Sequence, residues 1–464
     1  MPTLSPLPSR ASETVIEPEE TDNPPEDLPF TELFPQDLLA DPNSLSRPTL
    51  VEEVEIEQIQ VITLEEAIEL AYANNQDLQA ALLELEQSQA ILDEAEAELL
   101  PTVDTTADTT FQEDQGTIFE DGSGIDTSLG STIEINYDLF TSGARRANIR
   151  VAEAQVRLDT LEVERTQEEL RLNTATIYFD LQEATEDIRI NQAFVEEAAQ
   201  NLRDNQVRQQ AGVGTQFDVL RADVQLANAR QDLVQARSDQ QIAQRDLARL
   251  LNIPTTQNIQ ATGVTRAEDW PLTLEESIVL AFQNRVELTQ NLEEREIALQ
   301  QNIVARAAVR PQISLFANYS LSDTFDDGQA LSDFYSFGAD LNWQLFDGGA
   351  AEASARQREI SAEIAEQTFS ESLDTIRFDV EEAYFNLQAN AENIGTAQTA
   401  VTQARESLDI ANLRLDAGVG TELDVLEAQS ELTDAEGNLV DALLGYNRAL
   451  VELQRAVSKL TTTL

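Results

Sequence analysis

The sequence contains no cysteine and no histidine. Disulfides, thiol nucleophiles, Cys-linked lipid anchors, Cys/His zinc clusters and imidazole general bases are therefore excluded. It has no run of 18 apolar residues, so no transmembrane helix is expected. Its start lacks a basic segment followed by an apolar stretch and a small-residue cleavage site, so no secretory leader is legible. Basic residues are scarce: 29 Lys and Arg stand against 86 Asp and Glu, a formal net charge of -57. With no basic face to neutralise phosphates, nucleic acid is not an expected partner. The acidic excess favours a hydrated surface and cationic cargo inside a channel; adaptation to high salt would account for it equally. No P-loop, dinucleotide, EF-hand or metallopeptidase spacing is present, so neither a cofactor nor a metal is expected. Paired carboxylates of the glycosidase kind are the one enzymatic rival, but they need a concave apolar cleft that solvated helices do not supply. The expectation is a protein that is not an enzyme.

What is present is a chain written twice. Residues 62–79 (ITLEEAIELAYANNQDLQ) match 272–289 (LTLEESIVLAFQNRVELT) at nine of 18 positions. Pro101 falls opposite Pro311 at the same offset of 210. Residues 212–222 (GVGTQFDVLRA) match 418–428 (GVGTELDVLEA) at eight of 11 positions, now at an offset of 206. Ordered landmarks over such a length mark an internal duplication. The repeats occupy residues 61–270 and 271–464. Ahead of them, residues 1–60 carry ten of the 14 prolines and 14 carboxylates against only Arg10 and Arg47. Such a segment buries too little apolar surface to offset the ordering of its backbone, so a disordered arm is expected.

Each repeat has the same internal order. An opening helix spans about 64–99 and 274–309, begun by Thr63 or Thr273 with Glu three residues on, and stopped by the proline. A strand pair follows over 102–140 and 312–346, then a long helix over about 142–211 and 349–417. A Gly-Val-Gly turn leads to a return helix over 215–251 and 421–459. At 1.5 Å per residue the long helices reach about 100 Å. The opening and return helices placed end to end match that length, so each repeat is expected to form one rod. Leu373, Ile376, Val380, Ala383, Leu387, Ile394, Ala397, Val401, Ala404, Leu408, Ala411 and Leu415 repeat at 3,4 spacing, a coiled-coil seam. The first copy keeps it in weaker form through Leu170, Ile177, Leu181, Ile188, Val195, Ala198 and Leu202. A second ridge, Ala175 and Phe179 or Phe378 and Phe385, predicts more than one neighbour per helix, as in a closed ring.

The strands alternate. Ile133, Ile135, Tyr137 and Leu139 share one face and Glu134, Asn136 and Asp138 the other. Phe337, Ala339, Leu341, Trp343 and Leu345 likewise oppose Gly338, Asp340, Asn342 and Gln344, and 103–111 and 313–321 supply the partner strands. Apolar-out, polar-in strands of about 9–11 residues suit an outer-membrane barrel. Tyr137, Tyr319, Tyr335 and Trp343 are candidates for its aromatic girdle. The alternative is a pair of hairpins capping a non-channel helical scaffold of the cell envelope. A barrel in lipid has no open edge, so four strands per chain require oligomerisation. Two, three or four chains would give 8, 12 or 16 strands.

The opening at 63–75 (TLEEAIELAYANN), the junction LFTSGARR at 139–146 with its copy LFDGGAAEA at 345–353, and the two AGVGTxxDVL turns resemble TolC-type outer-membrane efflux proteins. The resemblance runs from residue 62 to about 460. It implies a homotrimer in the outer membrane extending into the periplasm. The fold class it implies is mostly α with a membrane β-barrel: 12 strands continuous with a helical barrel of 12 columns. It further implies a periplasmic adaptor and an inner-membrane pump or ABC exporter as partners, for multidrug efflux or type I secretion.

Function is expected to concentrate at chain reversals. Gly212, Gly214, Gly418 and Gly420 permit left-handed backbone at the helical tips, and Thr215 and Thr421 cap the next helix. Gly143 and Gly349 mark the change from strand to helix. The resemblance makes the tips the closed periplasmic end, with Arg208, Arg414 and Leu415 as docking residues for the adaptor. It also places Asp424 and Glu427, an i,i+3 pair, at the narrowest point of the lumen, where three chains would form a cation-binding ring. The first-copy counterparts are Asp218 and Arg221.

Overall fold

A computed structural model describes residues 58–114, 124–254, 257–324 and 331–458, so the acidic arm lies outside the described residues apart from its last three positions. The first repeat runs β1 (Gln58–Ile62), α1 (Leu64–Asn74), α2 (Gln76–Ala97), β2 (Thr102–Asp114), β3 (Gly124–Phe140), α3 (Ala144–Gln210) and α4 (Gln216–Leu250). The second runs β4 (Gln257–Ala261), α5 (Leu274–Asn284), α6 (Val286–Ala307), β5 (Gln312–Thr324), β6 (Ser332–Asn342), α7 (Ala350–Asp416) and α8 (Glu422–Val457). The duplication is thus structural, with two long helices of 67 residues each.

The expected opening helix is in fact two helices in each repeat. Asn75 ends α1 with extended backbone and begins α2 by accepting from the amides of Asp77 and Leu78 through Oδ1. Arg285 makes the same break between α5 and α6. An asparagine that caps competes with the continuing helix for the same amides, which the apolar periodicity alone does not reveal. The capping boxes at Thr63 and Thr273 are formed as expected.

The break is where the columns meet. The Asn75 side chain donates to the Leu250 carbonyl at 3.4 Å, and Asn252 donates to the Asn74 carbonyl at 3.2 Å. The end of α4 therefore abuts the α1–α2 junction, and the two short columns together flank α3 along its length. Beside this joint β1 and β4 pair in parallel, a strand pair not anticipated from the sequence. Tyr178 holds it to α3: the hydroxyl donates to the Ile62 carbonyl, and the Thr262 amide donates back to it.

The second-copy seam is as expected. Ile376, Val380, Ala383, Leu387, Ile394, Ala397, Val401, Leu408 and Ala411 are buried, with Leu373, Ala404 and Leu415 half-buried. In the first copy the lower seam is shifted. Ile190, Phe194, Ala198, Asn201 and Asn205 are buried, whereas Ile188, Val195 and Leu202 are only half-buried. The 3,4 spacing survives there by using two asparagines. α3 also packs on α6 and α8 of the second repeat.

The hairpins merge into one antiparallel sheet of order β2-β3-β5-β6, with both outer strands unpaired along one side. The expected second hairpin ends early: β6 stops at Asn342, so Trp343 and Leu345 follow the strand.

Buried arginines join the repeats at mid-height. Arg455 of α8 reaches Glu168 of α3 at 3.2 Å and Glu287 of α6 at 2.9 Å; Arg285 also pairs with Glu287, at 2.8 Å. Burial pushes Glu287 upward, but Arg285 and Arg455 outweigh it and hold the carboxyl at about 2. Burial raises Glu168, which shares the same arginine. Replacing Arg455 with Ala leaves Glu168 buried without its cation and Glu287 with Arg285 alone, and is expected to cost about 3–5 kcal/mol at neutral pH, measured by chemical denaturation. The share due to Glu287 is present above the ordinary value of 4.5 and lost as pH falls toward 2, so the variant's deficit should shrink in acid.

Candidate functional site

The two helical tips are built alike. After α3, the amide of Val213 returns to the Arg208 carbonyl at 3.0 Å, and after α7 that of Val419 returns to the Arg414 carbonyl at 3.0 Å. This closure needs left-handed backbone at Gly212 (φ 77°) and Gly418 (φ 72°). Gly214 and Gly420 serve a different purpose, close approach. A Cβ at Gly214 would lie 3.1 Å from the Arg208 Cβ, and one at Gly420 3.0 Å from the Leu415 nitrogen.

Thr215 and Thr421 then cap α4 and α8. Asp218 and Asp424 complete the caps by accepting from the Thr215 and Thr421 amides at 3.0 and 2.8 Å. Those hydrogen bonds, with Arg414 nearby, hold Asp424 below the usual carboxylate range. Asp424 therefore has a structural task as well as its charge. Glu427 is exposed, and both line a groove between α7 and α8 with Arg414, Glu406 and Glu431. Arg221, their opposite number in α4, stacks over the Phe217 ring at 4.7 Å.

Arg208 crosses from one tip to the other. It donates to the Leu415 carbonyl at 2.7 Å and stands 3.6 Å from Asp416. Arg414 is exposed and makes no such bond among the described residues. Sequence reasoning missed Glu422, Asn201 and Asn205, which are buried between the tips. The legible signal was two asparagines four residues apart on a seam otherwise apolar.

At the other end, Gly143 (φ 95°) and Gly349 (φ 91°) begin the long helices in left-handed conformation. The sheet above them is two-faced by register. Ile133, Tyr319 and Tyr335 are neighbours on one side, as are Ile135, Ala317 and Phe337. Glu134, Asn318 and Ser336 share the other. Tyr137 lies opposite Leu315 near the base with Arg145 over its ring, and the Trp343 indole donates to the Val309 carbonyl at 3.2 Å. Tyr335 lies within β6 and Trp343 just beyond its end. No helix among the described residues is long and apolar enough to cross a membrane.

A two-faced strand sheet continuous with a long duplicated helical rod defines a class, the outer-membrane channel proteins with a periplasmic helical extension. The chain belongs to the outer membrane efflux protein family, whose pattern matches residues 67–252 and 277–458. It is 27% identical over 414 residues to the pyoverdine export outer membrane protein OpmQ of Pseudomonas aeruginosa, covering 85% of this chain and 84% of that one. It is 22% identical over 400 residues to the outer membrane protein TolC of Escherichia coli, covering 83% and 80%. The fold is similar to that of the outer membrane protein VceC of Vibrio cholerae, with a TM-score of 0.73 and 21% identity over 85% of this chain and 95% of that one. The protein is an outer-membrane efflux channel and not an enzyme.

Gly418→Ala places a Cβ in left-handed backbone and is expected to cost about 1–2 kcal/mol locally. Hydrogen exchange of the amides at 414–424 should quicken, with the mid-height arginine cluster unaffected.

Proposed function

We propose that three copies of this chain form one duct, a 12-stranded barrel continuous with 12 helical columns, closed at the tips and opened by partners. One observation carries the reading. Val440 of α8 and Val234 of α4 hold the same rank in their repeats, yet Val440 is 7% exposed and Val234 65%. Phe179 of α3 and Phe385 of α7 differ in the same way, 5% against 56%. Phe179 and Val440 belong to one core where the first repeat meets the second. Their exposed counterparts would meet in the same way where the second repeat of one copy meets the first repeat of the next. Such a head-to-tail contact closes into a ring.

The open sides of β2 and β6 support the same ring, since pairing them between copies removes every edge from lipid. Three is the number that the family resemblance implies. The seam between copies would differ in kind from the one within a copy. Ile242 stands exposed where its counterpart Arg448 pairs with Asp180 and Glu183. Opposite Ile242 would lie Asn386 and Ala389, so this contact is uncharged where the internal one is ionic.

At the tips, Asp424 and Glu427 from three copies would supply six carboxylates to a ring that favours cations, with Asp218 and Arg221 alternating. The exposed Arg414 and the glycine turns suit docking of a periplasmic adaptor. An inner-membrane pump or ABC exporter would deliver the cargo.

Phe385→Asp buries a charge in the contact between copies and is expected to yield monomers in sedimentation velocity, with wild type expected to sediment as a trimer. A trimeric Phe385→Asp would refute this seam. The double variant Asp424→Ala, Glu427→Ala should raise single-channel conductance through the tips and weaken block by divalent cations. Unchanged conductance and block would remove the carboxylate ring.

A further inference from the structure

Glu422 is the first residue of α8 and sits between the two tips of one chain, 6% exposed. Neither of its carboxylate oxygens accepts a well-formed hydrogen bond among the described residues, although the side-chain amides of Asn201 and Asn205 lie near enough to favour its ionised form. Asn201 and Asn205 of α3 stand beside it. The Asn205 amide is spent on Asn201, while the Asn201 amide nitrogen is buried without a partner. Gln429, one helical face further along α8, leaves its buried Oε1 unpartnered too. Four uncompensated polar atoms of three side chains line one groove of about 610 Å³, beside the buried Leu408 and Val425, and such a cluster is unusual in a helical seam.

The charges around the groove do not cancel the carboxylate. From α3 come Glu197, Asp204 and Arg208, and from α7 Asp409 and Asp416. From α4 comes Asp218, already engaged with Thr215, and from α8 itself Asp424, engaged with Thr421. Arg208 is the one cation of this set, and its guanidinium is committed to the Leu415 carbonyl and Asp416. Burial, with Asp218 adding to it, raises Glu422 above the ordinary carboxylate value despite the amides of Asn205 and Asn201 and the attraction of Arg208.

The first repeat offers an internal comparison. Gln216 holds the place of Glu422 at the offset of 206 residues, and Ser407 and Ala411 hold those of Asn201 and Asn205. A ring of copies would therefore alternate a titratable seam within each chain with a neutral one between chains.

We propose that Glu422 sets how tightly the two tips of one chain close, its protonated form sealing the α3–α8 seam and its ionised form prising it open. This rests on the reading of the tips as the closed end of the duct. The sign follows from the direction of the shift. Closing the seam takes up a proton, so closure is fully favoured below the ordinary value of 4.5 and is lost as pH rises through the raised value. Ionised in the closed seam, the carboxylate lacks well-formed hydrogen bonds that water would supply. Separation of the tips supplies that water.

Two readouts test the assignment on the full-length protein. The chain has no cysteine, so Val419→Cys carries a single nitroxide per copy on an exposed tip. Distances between labels and open probability in planar bilayers are followed from about pH 4.5 to about pH 8. The expected result is a longer distance and higher open probability at the alkaline end. Glu422→Gln, which installs the residue the first repeat already uses, should lose both changes and stay at the short distance throughout. Asp409→Asn, altering an exposed carboxylate at the rim of the same groove, should keep the pH response. A Glu422→Gln protein that opens with pH as wild type does would overturn the assignment, as would a wild type that conducts without any pH response. Wild type with neither conductance nor a distance between copies would overturn the duct and the gate together.

Discussion

A helix of 67 residues, rich in charge and alanine, holds its shape only if it is flanked along its whole length. Helix propensity leaves an isolated segment marginal, and most of its stability comes from burying apolar ridges on neighbours. α3 and α7 each present two such ridges. α3 covers both inside the chain, with its own short columns on one side and α6 and α8 on the other. α7 covers one, and Phe378 and Phe385 of the second ridge remain exposed. The sheet shows the same imbalance, since its outer strands β2 and β6 each leave one side unpaired among the described residues.

The charge is arranged so that this packing survives it. A net charge of -57 would drive rods apart if the carboxylates met face to face. Arginines are instead spent between helices: Arg157 with Glu293, Arg295 with Glu366, Arg405 with Glu436, and the buried hub of Arg285 and Arg455. At four helix starts a carboxylate completes a capping box, Glu66, Asp218, Glu276 and Asp424. Glu422 departs from this order. It is a carboxylate at a helix start that caps nothing, and it lies where the two halves of the chain meet.

Much of the architecture was legible in the residues. The duplication came from identical landmarks, the rod length from helix counts, the faces of the strands from alternation, and the tip turns from glycine and threonine. Each is a local property, fixed by a spacing or a single backbone requirement. The breaks at Asn75 and Arg285 were not legible, because one extended residue leaves the apolar period intact on either side. The shifted seam through Ile190 and Phe194 was missed for a related reason. Several apolar residues lie within reach of the stripe, and only the position of α4 decides which are covered.

The sequence by itself determined that the molecule is two copies of one helical and strand unit, acidic, without thiol or imidazole chemistry, and reversed at glycine tips. Only the tertiary structure decided which copies of equivalent side chains are covered. Val234 and Val440 are the same residue at the same rank, so no local signal distinguishes them. What separates them is the neighbour that each repeat meets, and burial belongs to that neighbour as much as to the residue. The carboxylate of Glu422 is the polar case of the same rule. Its letter in a strongly acidic sequence is unremarked, and its isolation appears only when α3 and α8 close over it.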